Sequence, residues 1–324
     1  MRGNHNMQGA LLALAAMGIY ATHDVVVKYL GGSFSAFQIV FFSSLLSFPL
    51  VTIFILQDRS GGSLWPRHPG WVALRTVSAI VTSVCAFYAF GVLPLAQTYA
   101  LLFATPLIIT ILSIPVLGEK VRLRRWSAVI VGLLGVLIVL RPGQAELSTG
   151  HLAALVAAGA GALAAIIVRK VGTDERPVVL VIYPILANVV VMGAALPFVY
   201  RPMNTAEFGL MAVIAVMGLV GTVLSILSYR LAEAVIAAPM QYSQIVWATI
   251  YGALIFKDRP DAPTLIGAGI VIASGLYVVF RETKAGASEN RPVIDTSGRG
   301  ETITAPRPSL LQRILQPGSR SGRD

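Results

Sequence analysis

From residue 7 to residue 280 the chain alternates apolar runs of about twenty residues with short polar breaks. A helix needs ~20 mostly apolar residues to cross the hydrocarbon core of a bilayer. Ten runs qualify, at about 7–29, 35–56, 70–91, 95–117, 125–140, 152–169, 178–200, 207–229, 234–256 and 263–280. The pattern also repeats within itself. The stretch from Phe90 to Arg141 slides 139 positions onto Tyr229 to Phe280, setting Tyr242 under Phe103, Thr249 under Thr110 and Asp258 under Glu119. A one-residue insertion after the acid then sets Gly275 under Gly135. The first spans align more faintly at an offset of 141, with Lys28 over Arg169 and Gly31 over Gly172.

The repeat predicts two copies of five spans. An odd number of spans per copy turns the second copy upside down relative to the first, as in many secondary transporters. The expected fold is an all-α membrane protein of ten transmembrane helices in two inverted five-helix repeats, residues 1–145 and 146–282. Residues 283–324, rich in Pro, Gly, Ser and Arg, read as a disordered cytoplasmic tail. The first apolar segment continues to Leu30 and more spans follow it, which argues against a cleaved signal peptide. With the N-terminus inside, the Lys and Arg of loops and tail number 19 on the inner side and 5 on the outer. Basic residues stay on the cytoplasmic side, so both termini are expected there, in a bacterial inner membrane.

Composition supports the same class. Of 324 residues 56% are hydrophobic and 12% charged, too few charges to cover a soluble surface. The net charge of +10 sits between apolar runs and in the tail, so it reports topology rather than a nucleic-acid partner. A single cysteine, Cys85, excludes an intramolecular disulfide and any multi-cysteine metal site. His5, His23, His68 and His151 have no metal-ligand spacing, and no GxSxG or Gly-rich phosphate loop is present. Neither enzyme chemistry nor ATP-driven pumping is expected, and no metal or cofactor. The expected partners are a small-molecule solute and the lipid bilayer, with a homodimer left open.

The polar residues inside the spans carry the functional reading. Pro106 and Pro239 each fall within a span, where a proline removes a hydrogen bond and kinks the helix. Gln97, Tyr99 and Thr105 accompany the first, and Gln241, Tyr242, Ser243, Gln244 and Thr249 the second. Amides and hydroxyls of this kind either glue helices together or line a path for a polar organic solute. The first span holds His23, Asp24 and Lys28, with Asp24 and Lys28 at i, i+4 spacing for an internal salt bridge or a charged solute contact. His23 and Asp24 are also candidates for proton coupling. Arg75 stands about one turn into the third span, where snorkelling to the interface is the simplest expectation. Glu119 and Asp258 close their spans beside Lys120 and Arg259, as helix-end caps or surface ion pairs.

These features resemble the drug/metabolite transporter superfamily, specifically EamA-type ten-span permeases, over about 7–281. The resembling stretches are Asp24 to Gly31 (DVVVKYLG), Leu74-Arg75, Ala104 to Lys120 with its Gly-Glu after span four, and Ala237 to Arg259. The resemblance implies a basket-like bundle with a central cavity, lined by spans one, three, four, six, eight and nine, that works by alternating access. Within the superfamily, DVVVKYLG and AVIAAPMQY are most similar to S-adenosylmethionine-uptake-type carriers, while riboflavin and drug or metabolite efflux carriers share the same architecture. Many relatives place Arg after the paired Phe of span two; here Ser43 follows Phe41-Phe42. Two rivals of other classes are a membrane-embedded enzyme, which lacks a catalytic cluster here, and a non-transporting sensor, for which only the short tail is available as an output.

Overall fold

The computed structural model describes residues 2–56, 64–118, 123–142, 147–171, 174–231 and 237–284. Among these every regular element is helical: α1 (Arg2–Gly31), α2 (Ala36–Leu56), α3 (Pro69–Val92), α4 (Leu95–Leu102), α5 (Thr105–Leu117), α6 (Leu123–Leu140), α7 (Thr149–Val171), α8 (Pro177–Val199) and α9 (Thr205–Leu231). A 3-10 turn (Ala238–Tyr242), α10 (Ser243–Tyr251), a π turn (Gly252–Phe256) and α11 (Ala262–Lys284) complete the series. Six segments are long and apolar enough to cross a membrane: Met7–Gly31, Pro69–Val92, Leu95–Leu117, Thr149–Val171, Val178–Val199 and Thr205–Ser228. Shorter apolar helices occupy Ala36–Pro49, Trp126–Leu140 and Ala262–Tyr277. The chain is a multi-pass membrane protein. Glu119, Glu233 and the tail beyond Lys284 lie outside the described residues.

The helices break at both prolines. Each proline stands in the first turn of a new segment, a position that tolerates its missing N–H. Pro106 opens α5 and Pro239 opens the 3-10 turn. Pro106 deprives the Leu102 carbonyl of its usual donor four residues on. The Thr105 hydroxyl supplies one instead, at 2.7 Å, so the break is satisfied without water.

The repeat seen in the sequence reappears in the backbone. The break between α4 and α5 falls at Phe103–Ala104, and at an offset of 139 the 3-10 turn gives way to α10 at Tyr242–Ser243. The rings of Phe103 and Tyr242 meet edge to face, 5.2 Å between centroids. Gly118 (φ 71°) and Lys257 (φ 58°) end the two units in the left-handed region at the same offset. For Lys257 that conformation is unusual, since its Cβ crowds the backbone there. Thr110 and Thr249 each donate back to the carbonyl four residues earlier, at 3.0 and 2.8 Å. Helix neighbours also correspond between copies: α1 packs on α9 as α7 does on α3, and α2 on α9 as α8 does on α3.

Two apolar clusters occupy opposite ends of the bundle. One gathers the end of α1 (Leu30), the start of α2 (Phe34, Ile39), the end of α3 (Phe90) and the start of α9 (Met211, Ile214). The other gathers the start of α3 (Val72), the ends of α5 and α7 (Leu117, Val171) and the start of α8 (Val179, Leu180).

At the side of the bundle α6 and α11 approach closely because glycines face each other. A Cβ added at Gly135 would stand 2.8 Å from the Gly267 carbonyl and 3.0 Å from methyls of Ile270 and Val271. The Ser274 hydroxyl donates to the Ala128 carbonyl across this contact. Just beyond the helices Arg141 pairs with Asp261. Partial burial pushes the Asp261 carboxyl upward, but hydrogen bonds from Thr264 and the Arg141 charge outweigh it and hold the group below its usual range. Gly135→Ala should therefore lower stability by about 1–3 kcal/mol, because backbone has to move. Gly269→Ala, with nothing within 4 Å of its Cβ, should be close to neutral. Thermal unfolding of the two variants in detergent checks the pair.

Candidate solute site

Asp24 is the deepest acid among the described residues, 1% exposed on α1. His23 Nδ1 lies 2.7 Å from its Oδ1, and the Tyr99 hydroxyl of α4 donates to its Oδ2. Phe87 sits edge-on to His23 and Phe90 edge-on to Tyr99. A carboxylate in hydrocarbon is costly unless donors surround it, and α4 is positioned by its break to bring Tyr99 there. The site thus joins Asp24, His23 and Tyr99, as their presence in spans one and four suggests.

Lys28 does not complete the expected i, i+4 pair with Asp24. Its Nζ donates to the Leu93 carbonyl at 2.6 Å, approaches Asp258 Oδ2 to 3.1 Å and lies 5.1 Å from the centre of the Phe256 ring. The approach to Asp258 is close in distance but not aligned as a hydrogen bond, so it is a charge contact. Asp258 is accordingly corrected from a helix-end marker beside Arg259 to a partner of α1. At the opposite end Lys170 of α7 mirrors this arrangement, donating to the Val116 carbonyl at 2.7 Å and lying 4.5 Å from the Trp71 ring centre.

The remaining candidates divide. Gln97 faces His151 of α7 at 2.9 Å. Because the Ser148 N–H donates to His151 Nδ1 at 3.1 Å, the ring is neutral with its proton on Nε2, and Gln97 must turn its amide oxygen toward it. Gln97 is thereby engaged by α7. Tyr242 is buried with its hydroxyl against Gly275, where any Cβ would collide with it. Gln244 is buried and its Nε2 has no hydrogen-bond partner; Gln241 is partly buried one turn before it. Thr249 is taken up by its own helix.

Several polar atoms are buried without a partner, of which sequence reasoning missed those of Ser44 and Ser225. Ser44 Oγ on α2, Asn188 Oδ1 at the midpoint of α8, Ser225 Oγ on α9 and Ser243 Oγ have no hydrogen-bond partner. Asn188 gives only a long bond, 3.5 Å, to Ser83 of α3. Arg75, partly buried, has its Nε and Nη1 buried and unpartnered. The signal was present in its helical register, on the face of Ser78, Ala79 and Thr82. No group of three metal-ligating side chains occurs among the described residues.

The bundle thus buries an acid and several unpartnered hydroxyl and amide groups inside membrane-spanning helices. The chain belongs to the EamA-like transporter family, which it matches twice, over residues 7–141 and 148–280. It is 26% identical to the S-adenosylmethionine uptake transporter of Rickettsia bellii, over 82% of this chain and 91% of that one. It is likewise 26% identical to the pseudopaline exporter CntI of Pseudomonas aeruginosa strain PAO1 (86% and 97%) and 27% identical to a riboflavin transporter of Vibrio cholerae (88% and 97%). A solved crystal structure sharing 15% identity superposes with a TM-score of 0.57, covering 89% of this chain and all of that one, which shows a shared fold. The protein is a transporter and not an enzyme.

Lys28 and Asp258 bind each other across an end of the bundle, so their substitutions should not add. Lys28→Gln and Asp258→Asn should each lower stability, and the double variant should recover about 0.5–3 kcal/mol relative to the sum. Unfolding of the four proteins in one detergent measures the coupling; strict additivity would remove the contact.

Proposed function

We propose that the chain forms ten spans in two inverted repeats, with both termini cytoplasmic in a bacterial inner membrane, and moves a small polar organic metabolite by alternating access. The observation that carries this reading is the interior itself. Amide and hydroxyl groups of α2, α8, α9 and α10 are buried without hydrogen-bond partners, and leaving such groups unmet in a membrane interior is costly unless something else meets them. Correspondence of helix neighbours between copies supports the inverted repeat.

In this mechanism the solute meets Gln241, Gln244 and Tyr242 on one side of the midplane and the Asp24–Tyr99 pair on the other. Asp24 favours a solute with a positive group, such as an amino-acid derivative of the S-adenosylmethionine type. Lys28–Asp258 with Phe256 closes one end and Lys170 with Trp71 the other, so opening either end breaks one cation's contacts while the other's persist. His23 beside Asp24 offers a proton-accepting neighbour for coupling. Riboflavin transport or metabolite export is the second reading, favoured by relatives of similar identity with those names.

Reconstituted protein tests the assignment. Proteoliposomes should accumulate labelled S-adenosylmethionine, and Asp24→Asn and Gln244→Ala should each reduce uptake by about tenfold or more while folding normally, as expected for losing one polar contact in a dry site. Uptake at wild-type rates by both folded variants would refute the site.

A further inference from the structure

Arg75 lies six residues into α3, about two turns from its Pro69 end. Its neighbours at three, four, seven and eleven residues on are Ser78, Ala79, Thr82 and Ala86, all buried. Val77 and Tyr88, on the opposite side of the helix, are exposed to lipid. The guanidinium therefore faces the bundle. Its Nε and Nη1 are buried with no hydrogen-bond partner, and so is the Thr76 hydroxyl beside it. Ser44 and Asn188, on the two helices α2 and α8 that pack against α3, carry unpartnered oxygens as well.

Among the described residues no acid pairs with this charge. Helices α2, α3, α7 and α8 contain no Asp or Glu. The acids nearest in sequence to that end, Asp174 and Glu175, are occupied: the His68 N–H donates to Glu175, and His68 Nε2 lies 3.7 Å from Asp174. The apolar cluster of Val72, Val179 and Leu180 lies one turn toward the end of the bundle, so headgroups do not reach the guanidinium from that side. An unpaired guanidinium among buried hydroxyls persists where an arriving group supplies the missing charge.

We propose that Arg75 is the anion-binding pole of the solute path, taking a carboxylate of the transported molecule through charge-assisted hydrogen bonds from its guanidinium. Asn188 and Ser44 take adjoining polar groups. The inference rests on the carrier reading above and narrows it to solutes that bear a carboxylate. Asp24 stands toward the other end of the bundle, so a zwitterion meets the two charges at different points of its passage.

The test uses the full chain in phosphatidylcholine nanodiscs, comparing thermal unfolding of wild type, Arg75→Gln and Arg75→Lys. Without solute, Arg75→Gln should unfold at the wild-type temperature or above, because it removes an unmatched charge. S-adenosylmethionine should stabilise wild type, its decarboxylated analogue should need at least about tenfold higher concentration, and Arg75→Gln should lose that discrimination while Arg75→Lys keeps part of it. A solute-free Arg75→Gln less stable than wild type would reveal a structural partner and overturn the proposal. So would equal binding of the decarboxylated analogue by wild type. Arg75-dependent stabilisation on adding phosphatidylglycerol would assign the anion to a lipid headgroup and overturn it too. A failure of the carrier reading shows separately, as absent uptake in proteoliposomes.

Discussion

The edge-to-face contact of Phe103 with Tyr242, 5.2 Å between ring centres, is where the two copies meet at corresponding points. Each ring belongs to a helix break, next to a proline that opens the following segment or the 3-10 turn. The breaks free backbone groups that hydrocarbon cannot solvate, so local donors have to meet them. The Thr105 hydroxyl does so in the first copy. Everything else about the interior follows from this junction: α4 is turned so that Tyr99 reaches Asp24, and α10 so that Gln244 enters the core.

Charge placement obeys the same constraint from the outside. The last turns of α1 and α7 are both basic, and each lays a lysine, Lys28 and Lys170, near an aromatic ring and onto a backbone carbonyl from another part of the chain. In the first copy an acid, Asp258, adds a charge contact. In the proposed mechanism these two cation contacts, at opposite ends, are where the bundle opens.

Much of this was legible in the sequence. The offset of 139 already paired Phe103 with Tyr242 and Thr110 with Thr249, and the backbone repeats both pairs. Asp24 stood out because ionisable residues inside a span are rare and Tyr99 as polar company of Pro106, and the structure pairs the two. Partners were not legible. Lys28 sits at ideal helical spacing from Asp24, yet a residue 230 positions away lies closer once the bundle packs, and spacing along one helix says nothing of that. Arg75 was read by depth alone, and the side of the helix it occupies, with Ser78, Ala79 and Thr82, was left out. Ser44 and Asn188 are single polar residues in apolar runs, and only packing shows that no neighbour meets them.

In the proposed cycle the two ends open in turn about the Phe103–Tyr242 midpoint. Pulsed electron-electron resonance on the reconstituted protein reads it directly, with one label pair across the Lys28 end of α1 and the Phe256 turn and another across the Lys170 end of α7 and the Leu117 end of α5. Addition of S-adenosylmethionine should change the two distances in opposite directions, one lengthening as the other shortens. Distances that stay fixed, or that lengthen together, would contradict it.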